Sequence, residues 1–110
     1  MTRPETEEAA WEIVAEYPPV REVIPPGTER VLGRNRDLGA DLILHDVTVA
    51  RRHAVLRNRG GALEIQDLES HCGIFVNERS GGYRGRVHLA DGDEIRIGQV
   101  RLRARRLAAP

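Results

Sequence analysis

The sequence has one cysteine, four aromatic residues and no long run of apolar residues. A single cysteine excludes a disulfide framework and a four-cysteine zinc site, and it fits a reducing compartment. No apolar stretch approaches the roughly 18 residues that a membrane-spanning helix needs, and the acidic start lacks the basic region of a secretory signal. We therefore expect a cytoplasmic protein that does not associate with a membrane.

Lysine is absent, since all 17 basic residues are arginine, and these balance 17 acidic residues. Lysine codons are AT-rich, so this composition favours a GC-rich bacterial source. Zero net charge argues against general nucleic-acid binding, which depends on neutralising many phosphates. The charge is nevertheless uneven. Residues 1–29 carry two arginines against seven glutamates, a net of −5, and residues 30–110 carry fifteen arginines against ten acids, a net of +5.

The chain has 110 residues, enough for one domain that buries roughly 60–70% of the surface of its unfolded chain. This length excludes a two-domain enzyme. We expect an acidic N-terminal arm at residues 1–10, a single domain at residues 11–106, and a tail or the start of a linker at residues 107–110.

Apolar and polar residues alternate over most of the chain with a period of two, which is typical of half-buried antiparallel strands. Turn sequences such as Asn58-Arg59-Gly60-Gly61 and Ser80-Gly81-Gly82 separate the alternating segments. Only the segment Glu5–Glu16 is also compatible with a helix, and from Trp11 onward we favour a strand. About ten strands at spacings of roughly 8–12 residues predict an all-β sandwich. The predicted strands are 11–17, 21–24, 30–33, 42–44, 53–57, 62–66, 74–77, 86–89, 94–97 and 100–104.

Four short motifs follow one another along the chain. They are Val31-Leu32-Gly33-Arg34, the run 46–54 that ends in Arg51-Arg52-His53-Ala54, the run 67–77, and the run 89–98. Together they resemble the motifs of the forkhead-associated (FHA) domain family, and the likeness covers about residues 11–106. It implies a sandwich of about eleven mostly antiparallel strands in two sheets. It also implies a non-catalytic module without a cofactor, which binds a phosphothreonine segment of a partner protein in signalling linked to Ser/Thr kinases.

The resemblance places the binding chemistry on loops at one end of the sandwich. A guanidinium suits a phosphate because its planar fork donates two parallel hydrogen bonds. The implied phosphopeptide-binding residues are Arg34, Arg51, Ser70 and His71. The implied loop-structural residues are Gly33, His53, Gly73 and Asn77. Of these, His53 corresponds to the family's most characteristic histidine, which orders the binding loops by hydrogen bonds.

Two positions depart from the family pattern. Ala50 stands where the family has a phosphate-binding serine, and Cys72 stands where it has an asparagine that holds the peptide backbone. Each lost hydrogen bond costs on the order of 1–3 kcal/mol, so the two losses together weaken binding by about 30- to 10⁴-fold. A protonated His71 recovers part of this loss. Two interpretations stay open: a phosphopeptide module of reduced affinity, and a diverged scaffold that binds an unphosphorylated protein or its own copy.

Other functions have weaker support. A nucleic-acid-binding β module would have one exposed aromatic candidate, Tyr83. No metal-ligand spacing surrounds His71-Cys72 and no oxyanion-hole motif accompanies the cysteine, so we expect neither a metal site nor an enzyme. The alternating arginines of residues 101–106 suggest an edge strand whose charge prevents aggregation. A further hypothesis is that the acidic segment Glu5–Glu16 folds over the surface that carries Arg34 and Arg51.

Overall fold

Strands form in each of the segments where alternation predicts them. The computed structural model describes residues 9–78 and 85–107, and these hold ten strands and a short 3₁₀ turn at Arg36–Leu38. The strands are β1 (Trp11–Glu16), β2 (Pro19–Ile24), β3 (Glu29–Gly33), β4 (Leu42–Ile43), β5 (Ala54–Arg59), β6 (Ala62–Asp67), β7 (Ile74–Val76), β8 (Arg86–His88), β9 (Glu94–Ile97) and β10 (Val100–Arg106). The all-β prediction is confirmed, and Trp11–Glu16 is a strand, not a helix.

The ten strands form two sheets of five. The first sheet has the order β2-β1-β10-β9-β7, and the second has the order β4-β3-β5-β6-β8. All pairings are antiparallel except that of β3 with β4, which is parallel. The predicted sandwich of two mostly antiparallel sheets is therefore confirmed.

The structure corrects three expectations. Strand β10 is not an edge strand, because it lies in the middle of the first sheet between β1 and β9, so the edge explanation of its arginines is wrong. Asn58 and Arg59, expected in a turn, are the last residues of β5. Glu12 and Glu16 belong to β1, so the acidic segment cannot fold as a unit over another surface.

Some expectations concern residues outside the described ranges. These residues are 1–8 of the arm, the turn Ser80-Gly81-Gly82, Tyr83, and residues 108–110. Within residues 9–78 and 85–107, no helix has the length and hydrophobicity of a membrane span.

Because apolar and polar residues alternate along the strands, each sheet has one apolar face, and these two faces pack together to form the core. In β10, Val100, Leu102 and Ala104 are buried, and the arginines between them are exposed. Burying one large aliphatic side chain contributes about 1.5–3 kcal/mol. The core is mostly aliphatic, and its largest fully buried side chains are Trp11, Ile13, Ile24, Leu32, Leu44, Leu56, Leu63, Ile65, Ile74, Ile95, Ile97 and Leu102.

A buried amide joins the two sheets at the end that carries the β5–β6 turn. Asn58 Nδ2 donates to the carbonyl oxygens of Ala9 and Ile24, both at 2.9 Å. Its Oδ1 accepts from the N–H of Gly61 at 2.8 Å, and the carbonyl of Gly61 accepts from the Trp11 indole N–H at 2.8 Å. Asn58 thus stabilises the start of β1 and the end of β2 against the second sheet.

A buried carboxylate lies on the outer face of the second sheet. Glu64 is 4% exposed, and its Oε1 lies 3.2 Å from Arg59 Nε and 3.6 Å from Arg57 Nη1. Burial raises the pKa of Glu64, but the hydrogen bond from Arg59 and the charges of Arg59, Arg86 and Arg57 outweigh it. Together they hold the pKa below its ordinary value of 4.5.

We expect Glu64 to make the stability of the fold sensitive to acid. Because its pKa is lower in the folded than in the unfolded chain, its contribution is complete above about pH 4.5 and is lost as pH falls through the folded-state value. Glu64→Gln should therefore flatten the decline in the free energy of unfolding below that pH, measured by urea denaturation. Glu78→Gln, which alters an exposed ion-paired glutamate, is the control. An equal flattening by both variants would contradict this expectation.

Candidate functional site

Three loops meet at the end of the sandwich opposite the β5–β6 turn. They join β3 to β4, β4 to β5, and β6 to β7. Between them lies a cleft of about 310 Å³, and its lining contains three of the predicted site residues and both departed positions. The lining residues are Arg34, Val47, Thr48, Val49, Ala50, His53, His71 and Cys72.

Arg34 enters the cleft from the end of β3 and is anchored at two atoms. Its backbone N–H donates to the carbonyl of Ala50 at 3.0 Å, and its Nε donates to the carbonyl of Val49 at 3.0 Å. The side chain is exposed, and its two terminal nitrogens have no hydrogen-bond partner among the described residues. Arg34 therefore presents a positioned guanidinium to the cleft.

Gly33 lets β3 approach the backbone of the β4–β5 loop. A Cβ at this position would overlap the carbonyl of Arg51, so a larger residue would push the two segments apart. The approach allows Asn35 N–H to donate to the same carbonyl at 3.3 Å. Gly33 thus sets the distance between the strand that carries Arg34 and the loop that carries Ala50.

His53 joins two of the loops from a buried position. It is 1% exposed; its Nδ1 accepts from the N–H of Ala50 at 3.0 Å, and its Nε2 lies 2.8 Å from the carbonyl oxygen of Gly73. Because Nδ1 is an acceptor, Nε2 must carry the proton and donate to Gly73. The imidazole therefore connects the β4–β5 loop to the β6–β7 loop.

Ser70 is buried inside the β6–β7 loop. Its hydroxyl donates to Asp67 Oδ1 and accepts from the N–H of Gly73 at 2.9 Å. Ser70 does not line the cleft, and these contacts shape the loop that presents His71 and Cys72. A direct contact of Ser70 with a peptide stays a prediction.

Thr48 was not singled out from the sequence, yet it stabilises the cleft wall. Its backbone N–H donates to Asp46 Oδ1 at 2.8 Å, and its hydroxyl donates to the same oxygen and accepts from Gln99 N–H at 2.8 Å. The hydroxyl and the N–H of Thr48 hold the pKa of Asp46 below its ordinary range. The Asp-x-Thr spacing, which is typical of a side-chain-capped turn, was the signal available in the sequence.

The two departed positions make the cleft more apolar. Ala50 is half-buried beside Val49, and Cys72 is an exposed free thiol, a weak donor. Val47, at the tip of the same loop, is 91% exposed. The cleft therefore combines one guanidinium and His71 with an aliphatic wall.

Two neighbouring arginines lie outside the cleft lining. Arg51 is exposed, and the side chain of Arg52 lies near Gly39 of the β3–β4 loop, where an added Cβ would come within 3.3 Å of its Nε. The backbone N–H groups of both residues have no acceptor within the described ranges. Phosphate binding by the Arg51 side chain stays a prediction.

Asn77 lies at the end of β7, away from the cleft. Its Nδ2 donates to Asp93 Oδ1 at 3.0 Å, and its Oδ1 accepts from Glu94 N–H at 3.0 Å. These bonds connect β7 to the turn before β9.

The site has the chemistry of an anion-binding cleft. The guanidinium of Arg34 and the imidazole of His71 line the cleft, and both can donate hydrogen bonds to an anion. The free backbone N–H groups that follow Ala50 lie beside the cleft and can add further donors. In the part of the chain that the structure describes, no cluster of three or more His, Cys, Asp or Glu side chains could hold a metal ion.

Comparison with known proteins agrees with this geometry. A family model of the FHA domain matches residues 30–98. An oxoglutarate dehydrogenase inhibitor of Corynebacterium diphtheriae is 43% identical over 63 residues, which cover 57% of this chain and 42% of that protein. The glycogen accumulation regulator GarA of Mycolicibacterium smegmatis is 43% identical over 70 residues, which cover 64% of this chain and 41% of that protein. The matched part thus spans about two fifths of the length of these relatives.

Solved structures with the same fold include complexes. Mycobacterium tuberculosis EmbR in complex with a low-affinity phosphopeptide superposes with a TM-score of 0.74 at 28% identity, covering 93% of this chain and 26% of that one. The FhaA FHA domain complexed with the intracellular domain of Rv3910 superposes with a TM-score of 0.72 at 28% identity, covering 86% of this chain and 99% of that one.

We expect His53→Ala to loosen the two loops that the imidazole joins. The variant leaves the N–H of Ala50 and the carbonyl of Gly73 without their partner, which costs about 2–4 kcal/mol in the free energy of unfolding. Urea denaturation measures this loss, and hydrogen exchange should show faster exchange at Ala50. The exposed His45→Ala is the control. Unchanged exchange at Ala50 in the His53 variant would contradict the role of this bridge.

Proposed function

The chain belongs to the FHA domain family, and on that premise we propose that it binds a phosphothreonine segment of a partner protein in the cleft between its three loops. The domain is a non-catalytic protein-interaction module, and we assign this role to residues 11–106, with residues 1–10 as an arm. A phosphothreonine carries roughly −1.5 to −2 charges and three strong acceptor oxygens. The cleft supplies the complementary donors.

The observation that carries the proposal is the anchored guanidinium of Arg34. Its Nε donates a hydrogen bond to the carbonyl of Val49, which orients the side chain and leaves the two terminal nitrogens available to bind a phosphate. Such a pre-positioned fork loses little conformational entropy when it binds a phosphate. His71 lines the same cleft, and the free N–H groups of Arg51 and Arg52 follow directly after Ala50.

The partner and the pathway are part of the proposal: the relatives' names support a regulatory role, and the link to Ser/Thr kinases rests on the proposed binding of phosphothreonine. One relative is named an inhibitor of oxoglutarate dehydrogenase and the other a regulator of glycogen accumulation. We infer that this domain likewise acts by binding another protein in the cytoplasm, in regulation linked to Ser/Thr kinases, without catalysing a reaction itself.

Ala50 and Cys72 favour a second candidate function. They remove a hydroxyl and an amide from the cleft wall, and Val47 adds an exposed aliphatic side chain beside them. A wall of this kind would suit an unphosphorylated protein surface or a second copy of the domain. The same titration separates the two candidates, since only the first depends on the phosphate.

We expect Arg34→Ala to weaken the binding of a phosphothreonine peptide at least about tenfold, because charge-assisted hydrogen bonds are lost. Fluorescence anisotropy with phosphorylated and unphosphorylated versions of a peptide library measures the effect. Arg36→Ala, which removes an exposed arginine from the same loop, should change affinity less than about twofold. Equal binding of phosphorylated and unphosphorylated peptides by the unmodified domain would refute phosphate recognition.

Ala50→Ser together with Cys72→Asn should strengthen phosphopeptide binding at least about tenfold, because the pair restores two hydrogen-bonding groups to the cleft. Ala62→Ser, at an exposed position of β6, is the matched control for adding a hydroxyl. If the double variant shows no gain, the two positions do not contact the peptide.

A further inference from the structure

The arginines of β10 form an exposed row on the outer face of the first sheet. Arg101, Arg103 and Arg105 alternate with the buried Val100, Leu102 and Ala104, so the three side chains leave the sheet on the side away from the core. We call these three residues the arginine face. Because β10 is the central strand of its sheet, protection of a free edge does not explain them.

The arginine face lines a cleft of about 660 Å³ along the seam between β1 and β10. Val14 and the 89% exposed Tyr17 contribute to its wall on the β1 side. This cleft is larger than the one between the binding loops.

The two clefts are adjacent. Gln99 lines the β1–β10 cleft, Thr48 lines the cleft between the loops, and Gln99 N–H donates to Thr48 Oγ1 at 2.8 Å. A bound partner chain that leaves the cleft between the loops and passes this contact reaches the arginine face. From Gln99 to Arg105 the strand advances about 20 Å, which six residues of an extended chain also span.

The positive charge of the arginine face is neutralised unevenly. Arg101 Nη1 lies 2.7 Å from Glu78 Oε1 and 2.8 Å from Glu94 Oε1. Arg103 Nη2 lies 3.8 Å from Glu94 Oε2, and its Nη1 donates to the carbonyl of Gly92 at 2.7 Å. Arg105 has no ion pair among the described residues, because Glu12, its neighbour on β1, pairs with Arg21 at 2.9 Å. The least compensated charge of the arginine face therefore lies at Arg105, and next at Arg103, away from the carboxylate of Glu16 that lines the other end.

We propose that the arginine face binds an acidic segment of the partner protein, located about six or more residues from its phosphothreonine. The proposal rests on the proposed function, since it concerns the same partner chain. Charge complementarity with Arg103 and Arg105 and continuity with the loop cleft support it. RNA fits less well, because Glu78 and Glu94 lie beside the arginines and the protein has no net charge to attract a polyanion.

The first test compares two phosphothreonine peptides that differ in one tail. One carries a run of glutamates that begins about six residues from the phosphothreonine, and the other carries glutamines there, with tails on either side tested in turn. We expect the glutamate tail to tighten binding about 3- to 10-fold at low salt, and this gain to shrink at high salt.

Matched variants show which surface of the domain produces the gain in affinity from the glutamate tail. Arg103→Gln with Arg105→Gln should abolish the effect of the tail and leave the glutamine-tailed peptide unaffected. Arg36→Gln with Arg86→Gln removes the same charge from exposed positions outside the first sheet and should preserve the effect. Equal loss in both double variants would overturn the proposal, as would tighter binding of a single-stranded RNA than of the glutamate tail at the arginine face.

A second measurement keeps this inference separate from phosphate recognition. The ¹⁵N-labelled domain is titrated with an unphosphorylated glutamate-rich peptide, and shifts are expected at Val14, Arg103 and Arg105 but not at Arg34. If phosphopeptides fail to bind but these shifts occur, the proposed function fails and the binding of an acidic segment by the arginine face stands. If phosphopeptides bind but no shifts occur on β10, only the binding of an acidic segment by the arginine face is refuted.

Discussion

The imidazole of His53 is the interaction on which the binding end depends. It is buried at the end of the β4–β5 loop, and it contacts both Ala50 in that loop and Gly73 in the β6–β7 loop. The N–H of Leu68 in the second loop also donates to the carbonyl of His53 at 2.9 Å, so the side chain and the backbone of this residue together hold the two loops at a fixed distance.

Most of the fold could be predicted from the sequence, because each sheet has one buried face and alternation reveals such a face. The same signal does not reveal which strands are neighbours. The arginines of β10 look alike whether that strand is central or at an edge, and only the pairing with β1 and β9 decides it. The sequence around Asn58 predicts a turn for a related reason, since local propensity does not show that a distant strand will bury its amide.

The candidate site was predictable where family motifs carry it and less so elsewhere. Arg34, His53 and His71 line the cleft, whereas Arg51 lies beside it and Ser70 is used within its own loop. A serine in a polar loop has several possible hydrogen-bond partners, and the choice among them is made by the folded backbone. The role of Thr48 could not be predicted, because its partner Gln99 is distant in sequence and belongs to the other sheet.

The contact between Gly98 and Thr48 joins the β9–β10 turn of the first sheet to a loop of the second. Gly98 has a φ of +59°, and a Cβ there would lie 2.5 Å from the carbonyl oxygen of Thr48. The β9–β10 turn thus fixes the position of the β4–β5 loop, although the two segments are far apart in sequence. A substitution in this hairpin would therefore alter ligand preference through the position of the loop, even if every residue that lines the cleft stays the same. Sequence comparisons restricted to the lining residues would miss such a change.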